Sequence, residues 1–203
     1  MTAYETGVLL GELAACARTR AAESAGLRIR ALADNAERIA AAARELARRF
    51  SGGGRLFTFG NGGSATDAAV LAGLFARPPD GVALPAWSLS ADEAVLTAVG
   101  NDIGFESVFA RQLAARGRAG DIAIAMSTSG NSPDLLAGLA EARRRGLYTV
   151  GFAGGDGGTL ARADAVDRCL TVGSRSAHRI QEAQALLGYA LWSSVHQHGI
   201  LGG

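Results

Sequence analysis

Excess charge is what this chain has least of: 20 basic residues meet 19 acidic ones, for a formal net charge of +1. A protein that tracks nucleic-acid phosphates needs a surplus of positive charge, so the balance argues against a nucleic-acid partner. The basic run Arg143-Arg144-Arg145 falls on a polar helix face and reads as solvated surface. Cysteine is also scarce. Cys16 and Cys169 stand far apart with no CxxC pairing, the pattern of buried thiols and not of a disulfide or a metal site. No apolar run reaches the roughly 20 residues that a membrane-spanning helix needs. The first twenty residues, with Glu5, Glu12 and polar breaks, lack the pattern of a secretory signal, so the expectation is a cytoplasmic protein.

What is present is apolar and periodic. Of 203 residues 48% are hydrophobic and 19% charged, enough for a sizeable core, so one domain over 1–203 is expected. Residues 4–50 read as helix, with a break near Ser24-Ala25-Gly26. In the second half Ile29, Leu32, Ala36, Ile39, Ala43, Leu46 and Phe50 alternate spacings of three and four, a heptad seam. Such a seam on an N-terminal helical extension, residues 1–50, points to packing between subunits as much as within one, and an oligomer is expected.

Ser51-Gly52-Gly53-Gly54 ends the helical region, and strands then alternate with helices. The strands expected are 56–59, an extended 82–89, 121–126, 147–153 and 165–172. Between and after them come helices over 64–76, 91–99, 106–116, 134–145 and 177–196. That order predicts an α/β fold: a parallel sheet flanked by helices on both faces.

In open α/β sheets ligands bind beyond the carboxyl ends of the strands. Three strand ends there carry polar, glycine-rich segments. Gly60-Asn61-Gly62-Gly63-Ser64 lets backbone N–H groups approach a ligand closely. Ser127-Thr128-Ser129-Gly130-Asn131-Ser132 delivers four hydroxyls to the start of a helix, where unpaired N–H groups and the helix dipole attract phosphate. Gly100-Asn101-Asp102 offers amide and carboxylate groups that pair with sugar hydroxyls. There is no G-x-x-x-x-G-K-[ST] and no G-x-G-x-x-G after the first strand, so neither a nucleoside triphosphate nor a dinucleotide is indicated. Hydroxyls and amides without a phosphate-binding lysine suit a terminal monophosphate, and the chemistry points to a sugar phosphate.

These segments, with Arg179-Ile180-Gln181-Glu182, resemble the sugar isomerase (SIS) domain, and more narrowly the bacterial phosphoheptose isomerases, over about residues 30–197. The resemblance implies a five-stranded, doubly wound parallel sheet of flavodoxin-like type, a homotetramer with sites between subunits, and interconversion of sedoheptulose 7-phosphate with an aldose phosphate. It assigns sugar-phosphate contacts to Asn61, Gly62, Gly63, Ser64, Asn101, Asp102, Ser127, Thr128, Ser129, Ser132 and Gln181. It also implies a zinc site built from two pairs, a His with a Glu four residues later and a Gln with a His eight residues later. The Glu and the second His are base and acid. Here those positions hold Val70, Leu74, Gln181 and Tyr189. Valine and leucine neither bind zinc nor move a proton, so no metal and no cofactor are expected.

Proton transfer would then fall to Glu182 or His178, which flank the Gln181 position. His196 and His198, two apart, point to different sides of a helix and do not make a metal pair. Two functions remain open. One is an isomerase with a relocated base or with catalytic residues from a different partner subunit. The other is a non-catalytic sugar-phosphate-binding regulator or adaptor with a protein partner, for which the replication-initiator-associated SIS protein is the precedent.

Overall fold

The computed structural model describes residues 3–197, with side chains from Leu10 onward. His198 and the side chain of Glu5 lie outside the described residues. Six helices and five strands follow in order: α1 Ala3–Ser51, β1 Leu56–Gly60, α2 Gly63–Ala76, β2 Ala86–Ser88, α3 Glu93–Asp102, α4 Val108–Arg116, β3 Ile122–Met126, α5 Pro133–Arg144, β4 Tyr148–Gly154, β5 Arg168–Val172 and α6 Ala177–Gln197. The strands form one sheet in the order β2-β1-β3-β4-β5, every pair parallel. This is the five-stranded parallel sheet expected from the sequence, in the flavodoxin-like order. Among the described residues no helix is long and apolar enough to cross a membrane.

Alternation along the strands divides the core in two. Leu56, Ile122, Ile124, Met126, Val150, Phe152 and Leu170 face α1, α2 and α6. Phe57, Phe59, Ala123, Ala125 and Ala153 face α3, α4 and α5. A period of two sends successive side chains to opposite faces, which is why strands buried on both sides read as continuous apolar runs.

The helix break expected at Ser24-Ala25-Gly26 is absent, because α1 runs unbroken through it. A glycine in a helix interior costs about 1 kcal/mol relative to alanine, and packing against α6 offsets this. Leu27 and Ala31 are buried there, Glu23 pairs with Arg179, and Ser24 Oγ donates to the Glu182 carboxylate. The heptad seam is only partly the buried row. Leu27, Ala31, Asn35, Ile39 and Ala43 step by four, followed by Leu46 and Phe50, whereas Ile29 is 68% exposed and Ala36 is also exposed. The two rows coincide at Ile39, Ala43, Leu46 and Phe50 and separate toward the N-terminus.

Buried Asn35 pins α1 to the edge strand: its Nδ2 donates to Thr171 O at 2.8 Å and its Oδ1 accepts from Thr171 N at 3.0 Å. From Leu10 to Ala22 every residue of α1 is exposed, and Cys16 with them, against the expectation of a buried thiol. Cys169 is half-buried, and burial pushes its thiol up to about 11.

Other differences are local. The extended segment at 82–89 pairs with β1 only over Ala86–Ser88. The helix expected at 106–116 begins as a 3-10 turn over Phe105–Ser107. Asn101 and Asp102 form the last turn of α3 and not a loop. The arginine run is surface, as expected: Arg144 and Arg145 pair with Glu141, and Arg143 pairs with Asp167.

Candidate sugar-phosphate site

β1 continues into α2 on one face of the sheet, while β3 continues into α5 on the other. The connections diverge at these neighbouring strand ends and leave a crevice, the switch point at which open α/β sheets take ligands. The glycine loop lies on one side of it and the hydroxyl loop on the other.

The glycine loop is tight by necessity. A Cβ on Gly60 would lie 2.6 Å from Ser64 O and 2.8 Å from Met126 O. Gly62, at φ 53°, is the N-cap of α2 and supplies no side chain to the helix start. Ser64, in the first turn of α2, is 5% exposed. Asn61 is half-buried, and its Nδ2 donates to Asp134 Oδ2 at 2.8 Å across the crevice. Asp134 stands in the first turn of α5 and is 4% exposed.

The hydroxyl loop is shaped by its own hydroxyls. Ser127 Oγ accepts from Gly130 N at 2.9 Å, and Ser129 Oγ accepts from Asn131 N at 3.3 Å. Asn131 Oδ1 in turn accepts from Thr159 N at 2.8 Å and from Thr159 Oγ1 at 2.9 Å. Gly130, at φ 70°, approaches the 154–158 turn so closely that a Cβ would meet Gly157 O at 2.2 Å. Buried Gln184 of α6 donates from Nε2 to Ser127 O at 2.8 Å. Ser132 caps α5 without a side-chain hydrogen bond. The half-buried Thr128 and Ser132 hydroxyls have no partner among the described residues, so they remain available to a ligand.

α6 closes the third side. Gly63, Thr66, Asp67, His178, Gln181, Glu182 and Ala185 line an open cleft of about 480 Å³. Gln181 Nε2 donates to Asp67 Oδ2 at 3.3 Å. Burial pushes the Asp67 carboxyl above the ordinary carboxylate range, and the Gln181 bond opposes part of that rise. His178 and Glu182 are exposed at the rim. Asn101 and Asp102 are exposed on α3 and hydrogen-bond to each other at 2.8 Å; no hydrogen bond joins them to the crevice among the described residues.

Beside the cleft, and sharing Asp67 and Ala185 with it, Asp67, Val70, Leu71, Leu74, Met126, Gln184, Ala185 and Gly188 line a partly open pocket of about 40 Å³. Val70 and Leu74 stand here where the resemblance implies zinc ligands. Tyr189 is 50% exposed and lies against Trp192 with the rings tilted at 43° and centroids 5.2 Å apart. Two hydrocarbon side chains, a phenol and one amide are not a zinc donor set. Among the described residues no three His, Cys, Asp or Glu side chains gather as metal ligands. His196 is a core residue: it is 8% exposed, and its ring nitrogens lie 3.0 Å from Trp192 O and 3.1 Å from Val82 O.

Sequence reasoning missed Asp67, Asp134 and Gln184. Asp67 carried a signal, since 67, 70, 71 and 74 share one helical face. Asp134 and Gln184 carried none, because their partners lie 73 and 57 residues away.

With this geometry established, three likenesses bear on it. The family described as the SIS domain matches residues 21–154. The phosphoheptose isomerase of Solidesulfovibrio magneticus is 43% identical over 182 residues, covering 87% of this chain and 86% of that protein. The structure of phosphoheptose isomerase GmhA from Neisseria gonorrhoeae superposes with a TM-score of 0.84 at 33% identity, covering 91% of this chain and 99% of that one.

Proposed function

The chain belongs to the SIS-domain family, beside the phosphoheptose isomerases, and on that premise we propose that it binds a sugar phosphate, sedoheptulose 7-phosphate or a related ketose or aldose phosphate. The observation that carries the reading is the meeting of the two loops at the β1/β3 switch point, joined by the Asn61–Asp134 bond. The phosphate sits against Thr128, Ser129 and Ser132 at the start of α5, where hydroxyls and uncapped backbone amides favour an anion. The polyol extends toward Asn61, Gly62, Gly63 and Gln181, with Asn101 and Asp102 as further contacts. The binding assembly of this reading is a homo-oligomer, a tetramer by family likeness. The support for an oligomer in this chain is the exposed stretch of α1 from Leu10 to Ala22, together with the exposed side chains of Ile29, Val70 and Tyr189.

Aldose–ketose interconversion needs a base at the carbon beside the carbonyl and an acid at the oxygens. Val70, Leu74 and Tyr189 supply neither these groups nor a metal site, so no step is assigned to zinc. The primary reading is therefore sugar-phosphate binding without the family's catalysis, as in a regulator, an adaptor or a partner subunit of an active isomerase. A second reading, an isomerase with a relocated base, is favoured by one observation: Glu182 and His178 line the same cleft as Gln181.

Two measurements on the purified protein separate the readings. Sedoheptulose 7-phosphate at 100 times its dissociation constant should stabilise the fold by about 2.7 kcal/mol. NMR should show no interconversion on the primary reading, whereas turnover abolished by Glu182→Ala would establish the second. Absence of stabilisation by any sugar phosphate would refute both.

A further inference from the structure

We infer that Asp134 is a positioning residue that sets what Asn61 reads. The inference rests on the sugar-phosphate reading above. A carboxylate has lone pairs and no proton to give, so the Asn61 side chain must turn its nitrogen toward Asp134. That orientation is what the 2.8 Å contact from Nδ2 to Oδ2 records. The nitrogen is committed, and Oδ1, the other end of the planar amide group, has no hydrogen bond among the described residues. Asn61 therefore presents an acceptor to the crevice.

An acceptor pairs with a hydroxyl and repels the acceptor-only oxygens of a phosphate dianion. Asp134 is well placed to enforce this. It is 4% exposed and stands in the first turn of α5, where the helix dipole stabilises a carboxylate. Its charge also discourages the phosphoryl group from moving off the hydroxyl loop toward the glycine loop. The pair thus divides the crevice into a phosphate end and a polyol end, and fixes the direction in which the ligand lies. The ligand class selected is a polyhydroxylated phosphate ester with a donor hydroxyl near Asn61, over inorganic phosphate.

The test has an arm without ligand and an arm with it. In ¹⁵N-labelled protein the Asn61 side-chain N–H that faces Asp134 should be shifted downfield and slow to exchange, assigned by its loss in Asn61→Asp. Asp134→Ala should return it to the free-amide position. An Asn61 amide with free-amide shifts in the unsubstituted protein would overturn the inference without touching the binding reading. In the second arm, calorimetry compares sedoheptulose 7-phosphate with inorganic phosphate. Asp134→Ala should weaken the sugar phosphate roughly tenfold and leave inorganic phosphate unchanged or tighter. Asp134→Asn, which retains an acceptor oxygen, should restore most of the difference and serves if the alanine variant does not fold. In an Asn61→Ala background the Asp134 substitution should have lost its effect. Parallel weakening of both ligands, or an undiminished effect without Asn61, would mark Asp134 as merely structural. If the unsubstituted protein binds no sugar phosphate, the binding reading fails and this inference with it.

Discussion

Gln181 occupies the space that a side chain at residue 63 would need: a Cβ built on Gly63 falls 2.1 Å from Gln181 Nε2. Gly63→Ala should therefore displace the Gln181 amide from the cleft. The obstructing atom is the end of a flexible side chain, and alanine is the better helix former by about 1 kcal/mol, so stability should hold or rise. Sugar-phosphate affinity should fall roughly tenfold. Thermal melts and calorimetry on the same variant check both halves, and an unchanged dissociation constant would remove Gln181 from the site.

Gly130 has no such freedom. Its φ of 70° and the backbone oxygen of Gly157, 2.2 Å from a would-be Cβ, leave only backbone to move. Gly130→Ala should cost about 3 kcal/mol in urea denaturation. It should also abolish sugar-phosphate stabilisation, because the hydroxyl loop loses its brace against the 154–158 turn.

The zinc site is open to reconstruction. Val70 is 58% and Tyr189 50% exposed, so histidine at either position disturbs little; glutamate at the partly buried Leu74 carries most of the desolvation cost. The combined variant Val70→His, Leu74→Glu and Tyr189→His, with Gln181 retained, should bind Zn²⁺ in calorimetry and gain zinc-dependent isomerisation by NMR. The unsubstituted protein should show neither. Zinc-stimulated turnover of the unsubstituted protein would contradict the proposed loss of that chemistry.

Asp67 gives a pH dependence of defined sign. Burial raises its folded pKa above the unfolded value, so the folded state holds this proton more tightly. Stability from the group is present below the unfolded pKa and is lost as pH rises through the folded one. Asp67→Asn should therefore stabilise the protein at neutral pH, and the gain should shrink as pH falls toward 4, near the ordinary carboxylate value. Denaturation midpoints from pH 4 to 8 measure it; a gain that is flat across the range would exclude burial of the charge as its cause.

The sheet was readable because its strands are unbroken apolar runs bounded by glycine and polar turns, and those runs survive without knowledge of partners. The phosphate loop was readable because four hydroxyls within six residues have few other uses. The helix at Ser24-Ala25-Gly26 was misread because local propensity disfavours it, while contacts with α6, more than 150 residues away, decide it. Asn61 was visible in the sequence, but its orientation was not. That depends on a carboxylate 73 residues later, on the far side of the crevice.

α1 spans 49 residues, about 73 Å at 1.5 Å per residue, and every residue of its segment from Leu10 to Ala22 is exposed. A helical segment of that length alone in water is marginal. Its order should therefore be a collective quantity, governed by protein concentration where the sheet's is not. Stepwise dilution followed by circular dichroism should cost roughly a dozen residues of helix while tryptophan fluorescence from buried Trp192 holds steady.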